Sequence, residues 1–219
     1  TQFVTTDYQI SKEEIYMFRD PSIGIGGKDG SRLVTMEDYM FNGRKLWLQG
    51  RITPDTVDSL LSQLIIIEED YTFSGIINQT DVNVTIYISS PGGSLTSLNL
   101  YDYLLHTPLK IRTVVTGYAY SAAALVFLAG SERCLMPYSR VMFHEPCFSG
   151  GSISDESIEG IDYICDDLKN HKETALNIIS ERTGLSKKTV RGKITNRKWF
   201  LNADEAVKLG IADKIVHSL

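Results

Sequence analysis

Three short segments hold the residues whose types and spacing could do chemistry. In GYAYSAAALVFLAG (117–130) one hydroxyl, Ser121, stands where a strand-like stretch gives way to an uncharged, alanine-rich run. In SRVMFHEP (139–146) His144 closes a strongly apolar stretch, and in YISSPGG (87–93) a β-branched and aromatic run meets Pro91-Gly92-Gly93. Taken singly, each has a plain structural explanation: close helix packing for the serine, a half-buried side chain for the histidine, a turn for the glycines. Together they make an arrangement for acyl transfer. A serine hydroxyl is a poor nucleophile until a base accepts its proton. His144 is the candidate base, because His106 and His171 fall on polar helix faces or ends and His217 lies near the end of the sequence. Glycines let a backbone approach a substrate closely. The amide of Ala122, at the start of a helix, lacks an intrahelical acceptor. Two backbone N–H groups beside a serine can form an oxyanion hole, often the largest single contribution to such a reaction.

The elements that must position these groups follow from periodicity. RKLWLQGRI (44–52) reads as a strand. A helix starts at Thr53-Pro54-Asp55, with apolar Val57, Leu60, Leu61, Leu64 and Ile65 on one face. VNVTIYISS (82–90) reads as a buried strand, followed by a helix through Leu95, Leu98, Leu104 and Leu105. KIRTVVTG (110–117) is the next strand, Ala122 to Ala129 the next helix, and ERCLMP (132–137) and SRVMFHEP two short strands. Ile158, Ile161, Cys165, Leu168, Leu176 and Ile179 recur at helical spacing, with Gly184 as the stop. A short helix (203–209) and a strand (211–216) end the pattern. Strands alternating with helices predict an α/β fold with a mostly parallel sheet and right-handed connections. In such sheets, sites form outside the carboxyl ends of the strands, where Ser121 and the glycines fall. Residues 1–43 read differently: the glycine-rich DPSIGIGGKDGSRL (20–33) predicts a loop or a partly flexible arm ahead of a domain over 44–219. YTFSGIINQTD (71–81) and CFSGGSISDES (147–157) read as loops.

Composition narrows the function classes. The 219 residues carry a net charge of −5 with no basic stripe, which argues against nucleic acid as a partner. Three cysteines without CxxC spacing argue against a disulfide framework or a zinc knot, and so for a reducing, cytoplasmic compartment. No apolar run reaches the roughly 18 residues of a membrane span, and the first residues have no signal-peptide pattern. Neither a cofactor nor a metal is expected.

The segments YISSPGGSLTSLNLYDYL, GYAYSAAALVFLAG, LMPYSRVMFHEPCFSGG and FLNADEAVKLGIADKIV, in this order across about residues 44–217, resemble the proteolytic subunit of the ATP-dependent Clp protease (ClpP). The resemblance implies a crotonase-like ββα spiral fold, with a long "handle" helix over about 155–183 between stacked rings. It implies a serine-type endopeptidase with Ser121 as nucleophile, His144 as general base, and the amides of Gly93 and Ala122 as the oxyanion hole. It further implies heptameric rings stacked into a barrel, alone or with a paralogous subunit. An AAA+ unfoldase would deliver unfolded polypeptides to that barrel. The sequence departs from the family at the third triad position, where an aspartate is expected. Anchoring on Phe200-Leu201 puts Lys198 there, and counting from Thr183-Gly184 gives Arg197; Asn196 is the nearest side chain able to accept a hydrogen bond from an imidazole. The third member therefore stays open between Lys198 and Asn196. The N-terminal arm and 71–81 also look longer than the family pattern. Two other readings remain: a catalytically weak or silent structural subunit of the same assembly, and a crotonase-fold acyl-CoA enzyme using the same backbone hole.

Overall fold

The computed structural model describes residues 22–27, 30–73, 83–147 and 157–219. The chain divides into two compact units, with the boundary between Gly43 and Arg44. In the first unit β1 (Ser22–Gly27) pairs antiparallel with β2 (Gly30–Thr35), and α1 (Met36–Asn42) follows. The Thr35 hydroxyl accepts a hydrogen bond from the Asp38 amide at 3.0 Å and caps that helix. The expectation of a loop over 20–33 is thus corrected. Ile23 and Ile25 alternate with glycines at the period of a strand, and pairing with β2 outweighs the low strand propensity of glycine. The expected arm before residue 22 lies outside the described residues.

The second unit is a mixed α/β fold with a mostly parallel sheet and flanking helices. β3 (Lys45–Ile52), β4 (Asn83–Gly93), β5 (Lys110–Tyr120), β6 (Glu132–Leu135) and β9 (Lys214–Ile215) run side by side in that order, each parallel to its neighbour. β7 (Arg140–Phe143) pairs parallel with the last residues of β5 and antiparallel with β8 (Trp199–Asn202). Alternating β-branched and apolar residues put Leu46, Leu48, Ile52, Val84, Ile86 and Ile88 into the core.

The helices differ in how much they bury. α4 (Ala122–Ala129) is buried almost all round, as its lack of polar residues requires. Thr113 on β5 donates to the Phe127 carbonyl at 2.9 Å and fixes α4 against the sheet. α2 (Pro54–Phe73) buries Val57, Leu60, Leu64 and Ile67 and leaves Ile65 exposed; it carries the chain three residues into the stretch expected as a loop. The rest of that loop, 74–81, lies outside the described residues, as do Val82 and 148–156. α3 (Ser97–His106) buries Ser97, Leu100, Tyr101 and Leu104, whereas Leu95 precedes the helix and Leu105 is exposed.

α5 (Ile158–Thr183) ends at Gly184 in the left-handed conformation, φ 75°. Arg182 in its last turn donates to the carbonyls of Leu128 at 2.8 Å and Gly130 at 2.9 Å, tying α5 to the end of α4. α6 (Lys187–Ile194), capped by Ser186 and anchored by buried Val190 and Ile194, has no counterpart in the sequence reading. α7 (Ala203–Lys208) precedes β9, which is shorter than the expected 211–216. No described helix is long and apolar enough to cross a membrane. Cys134 is buried and Cys147 and Cys165 are exposed, all as free thiols.

Candidate active site

β5 runs three residues beyond the expected strand and ends at Tyr120, so Ser121 is the single residue between strand and helix. It has φ 56° and ψ −124°, a backbone conformation that side chains other than glycine rarely adopt. Such strain costs about 1–3 kcal/mol and persists only where the surroundings enforce it. Here the Ser121 amide donates to the Met142 carbonyl on β7 at 2.8 Å, while its own carbonyl accepts from Ala124 at 2.9 Å as α4 begins. The effect is a sharp elbow that turns a half-buried hydroxyl out of the chain's path.

Pro91-Gly92-Gly93 is not a free turn. It continues β4, with Arg51 opposite Gly92 and Ile52 opposite Gly93. Gly92, at φ 86°, brings its backbone hard against the elbow: a Cβ there would lie 2.9 Å from both the Ser121 Cβ and the Ala122 nitrogen. A Cβ on Gly93 would run into the Ile52 carbonyl oxygen. Both glycines are therefore dictated by close approach of backbone to backbone. Ala122 is the first residue of α4, where an amide has no intrahelical acceptor.

His144 follows β7 directly. Tyr120 pairs with Met142, so Ser121 and His144 leave adjacent strand ends on the same side of the sheet's edge. Ser121, Ala122, Gly93 and His144 line one cleft of about 220 Å³. Burial holds the His144 imidazole below its ordinary pKa; the Glu145 backbone offsets part of this, and the Lys198 ammonium pushes further down. A neutral imidazole beside a hydroxyl is the form able to take a proton.

The place of Lys198 follows from the strand register. Phe143 pairs with Trp199 in the antiparallel ladder, so one further step sets His144 opposite Lys198. Asn196 sits at φ 55° in the turn closed by the Arg197 amide on the Ile194 carbonyl at 3.2 Å. Thr195, with φ −63° and ψ 121°, makes this a type II turn with Asn196 at its left-handed position. The Asn196 amide donates to Glu145 Oε2 at 3.2 Å, and the other oxygen of Glu145 pairs with Lys172 on α5. Lys172 is the main reason the Glu145 carboxyl stays below its usual range. Neither Lys198 nor Asn196 lines the cleft. Arg51, Ser97 and Cys147 do line it, although the sequence reading did not single them out; their place depends on the β3–β4 register and on chain passing the cleft after Pro146. Among the described residues no group of His, Cys, Asp and Glu could hold a metal ion.

Comparison with known proteins places the sequence in a family. Residues 28–218 match the family described as Clp protease. The chain is 33% identical over 181 residues to the ATP-dependent Clp protease proteolytic subunit 1 of Corynebacterium diphtheriae, covering 80% of each chain. It is 29% identical over 195 residues to the subunit of the same name from Prochlorococcus marinus, covering 87% of this chain and 91% of that one. With proteolytic subunit 3 of Nocardia farcinica the identity is 31% over 182 residues, covering 80% and 76%. An α/β sheet with a strained serine elbow, a histidine lining the same cleft and a family match across most of the sequence lead to one conclusion: this chain belongs to the Clp protease family.

Proposed function

We propose that the chain is a serine-type endopeptidase subunit acting on unfolded polypeptides. Ser121 Oγ attacks the carbonyl carbon of the scissile peptide bond while the His144 imidazole takes its proton. The amides of Gly93 and Ala122 donate to the oxyanion that forms. Collapse of the tetrahedral intermediate breaks the C–N bond, and His144 returns the proton to the leaving amine. Water, activated by the same imidazole, then releases the acyl group from Ser121. The observation that carries this reading is the elbow itself: a non-glycine residue held at φ 56° with the Gly92 backbone packed against it and His144 on the wall of the same cleft. The test is Ser121→Ala. It should abolish hydrolysis of short fluorogenic peptides while assembly, followed by sedimentation, is unchanged. Peptidase activity near wild type in a preparation free of contaminating protease would reject the assignment.

A second reading, a subunit with a weakened site, draws on Lys198. A cation opposite His144 disfavours the imidazolium that must form during attack. Without an acceptor to orient the imidazole, a Ser-His-Asp protease loses on the order of 10⁴ in kcat. On this basis the isolated chain is slow unless a neighbouring subunit supplies the acceptor.

Assembly belongs to the same proposal. The first half of α5 exposes Tyr163 and Cys165, with Ile161, Ile164 and Leu168 only partly covered, whereas Leu176 and Ile179 further along are buried. An apolar stripe left open on one half of a helix fits self-association, as expected of the handle between rings. The names of the relatives describe them as subunits of an ATP-dependent protease. An AAA+ unfoldase as the partner of this chain is proposed on that ground.

A further inference from the structure

The wall of the cleft carries a charge that the proposed peptidase chemistry does not use. Arg51 lies near the carboxyl end of β3, opposite Gly92, where open α/β sheets hold their ligands. It is exposed, and its side chain makes no ion pair or hydrogen bond among the described residues. It lines the cleft that holds Ser121 and His144 and also an adjoining cleft of about 420 Å³ that shares Gly93, Leu95 and Cys147 with the first. Among the described residues the first cleft is otherwise walled mainly by apolar groups, among them Leu98, Leu125, Phe143 and Ile179, and Arg51 is the only Lys, Arg, Asp or Glu of those that line it. The second cleft adds one carboxylate, Asp167, whose Oδ2 lies 3.3 Å from His171.

A further polar group on the first wall lacks a partner. Ser97 is 1% exposed, and its Oγ is buried without a hydrogen bond among the described residues. Buried hydroxyls nearly always find a partner, so this one leaves hydrogen bonding unmet beside the cleft. The exposed guanidinium is the group a substrate can reach, and a carboxylate answers it in a paired geometry.

We propose that Arg51 makes this site prefer polypeptides with an Asp or Glu side chain close to the bond that is cut. The proposal rests on the reading of Ser121 as the nucleophile. Arg51 and Ser121 line the same cleft, so the acid falls within a few residues of the cut.

The experiment maps cleavage sites by mass spectrometry in a library of peptides amidated at the C-terminus, so that side chains supply the carboxylates. Wild type, Arg51→Gln and Arg51→Glu are compared, and each sample is also treated with a fluorophosphonate probe to measure the Ser121 adduct. Within each variant the ratio of acidic to neutral cut sites is the readout. The expected result is enrichment of Asp and Glu near the cut by about fivefold in wild type, the scale of an exposed ion pair. That enrichment disappears in Arg51→Gln, turns toward Lys and Arg in Arg51→Glu, and shrinks in high salt. Wild-type cut sites without acid enrichment, or enrichment that survives Arg51→Gln, would overturn the proposal while a Ser121 adduct leaves the peptidase reading standing. A preference seen only with free C-terminal carboxylates would overturn it as well. Absence of both cleavage and adduct removes the peptidase reading and this proposal with it.

Discussion

The turn after β5 and the turn before β8 each hold a residue at nearly the same left-handed φ, Ser121 at 56° and Asn196 at 55°. They reach it for different reasons. Asn196 is an exposed asparagine in a type II turn, a place where its side chain is tolerated and local turn chemistry accounts for the conformation. Ser121 is half-buried and held by a strand bond to Met142, by the start of α4 and by the Gly92 backbone pressed on its Cβ. Strain that the surroundings enforce points to a site; strain that the local sequence already favours does not. The two regions also differ in charge. In the proposed mechanism the serine side would offer backbone donors to a developing anion, while the other side sets the ammonium of Lys198 against His144, where that mechanism calls for an acceptor.

The largest effect expected from breaking this contrast is at Gly92. Gly92→Ala puts a Cβ 2.9 Å from backbone and Cβ atoms that have no freedom to give way. The elbow should shift and the oxyanion donors with it, lowering kcat by about 100-fold or more, the scale of losing one donor. Peptide hydrolysis measured with a parallel thermal melt checks this; full activity in a folded Gly92→Ala protein would mean that close approach at Gly92 does not shape the site.

Lys198→Asp should sharpen the contrast in the opposite direction. An acceptor opposite His144 fixes its tautomer and stabilises the imidazolium, raising kcat by about 10-fold or more. Unchanged or reduced kcat with the fold intact would show that position 198 does not orient the imidazole.

The smallest effect isolates the charge alone. Because burial and then Lys198 hold the His144 pKa below its ordinary 6.5, the acid limb of the rate profile should lie below that pH. Lys198→Gln removes a cation, so the pKa rises and the limb moves to higher pH, by less than about one unit for an exposed charge. A limb that stays in place in a kcat/KM profile would remove Lys198 from the electrostatics of His144.

Much of this molecule is legible in its sequence, and the exceptions have physical causes. The β-branched runs of β4 and β5 and the polar-free run of α4 carry their own period, so a strand–serine–helix elbow can be read directly. The β1–β2 hairpin is hidden because glycine masks the strand propensity of Ile23 and Ile25. α6 is half charged and buries only Val190 and Ile194; Ser186, whose side chain accepts from the Thr189 amide at 3.1 Å, was the available signal. Within the site, Ser121 and His144 stand out by type and place. Arg51 could not, because its position on the cleft wall comes from pairing with Gly92, forty-one residues away in sequence. The weight of Lys198 over Asn196 also waits for the structure, since only the Phe143–Trp199 register sets Lys198 opposite His144.

The central claim is that Ser121 is a nucleophile activated by its setting. Labelling the intact chain with a fluorophosphonate serine probe, read by intact mass and peptide mapping, tests it most directly. One adduct per chain, on Ser121, absent in Ser121→Ala and much slowed in His144→Ala, is the predicted result. An unlabelled chain, or an adduct on another serine that persists in Ser121→Ala, would contradict the account.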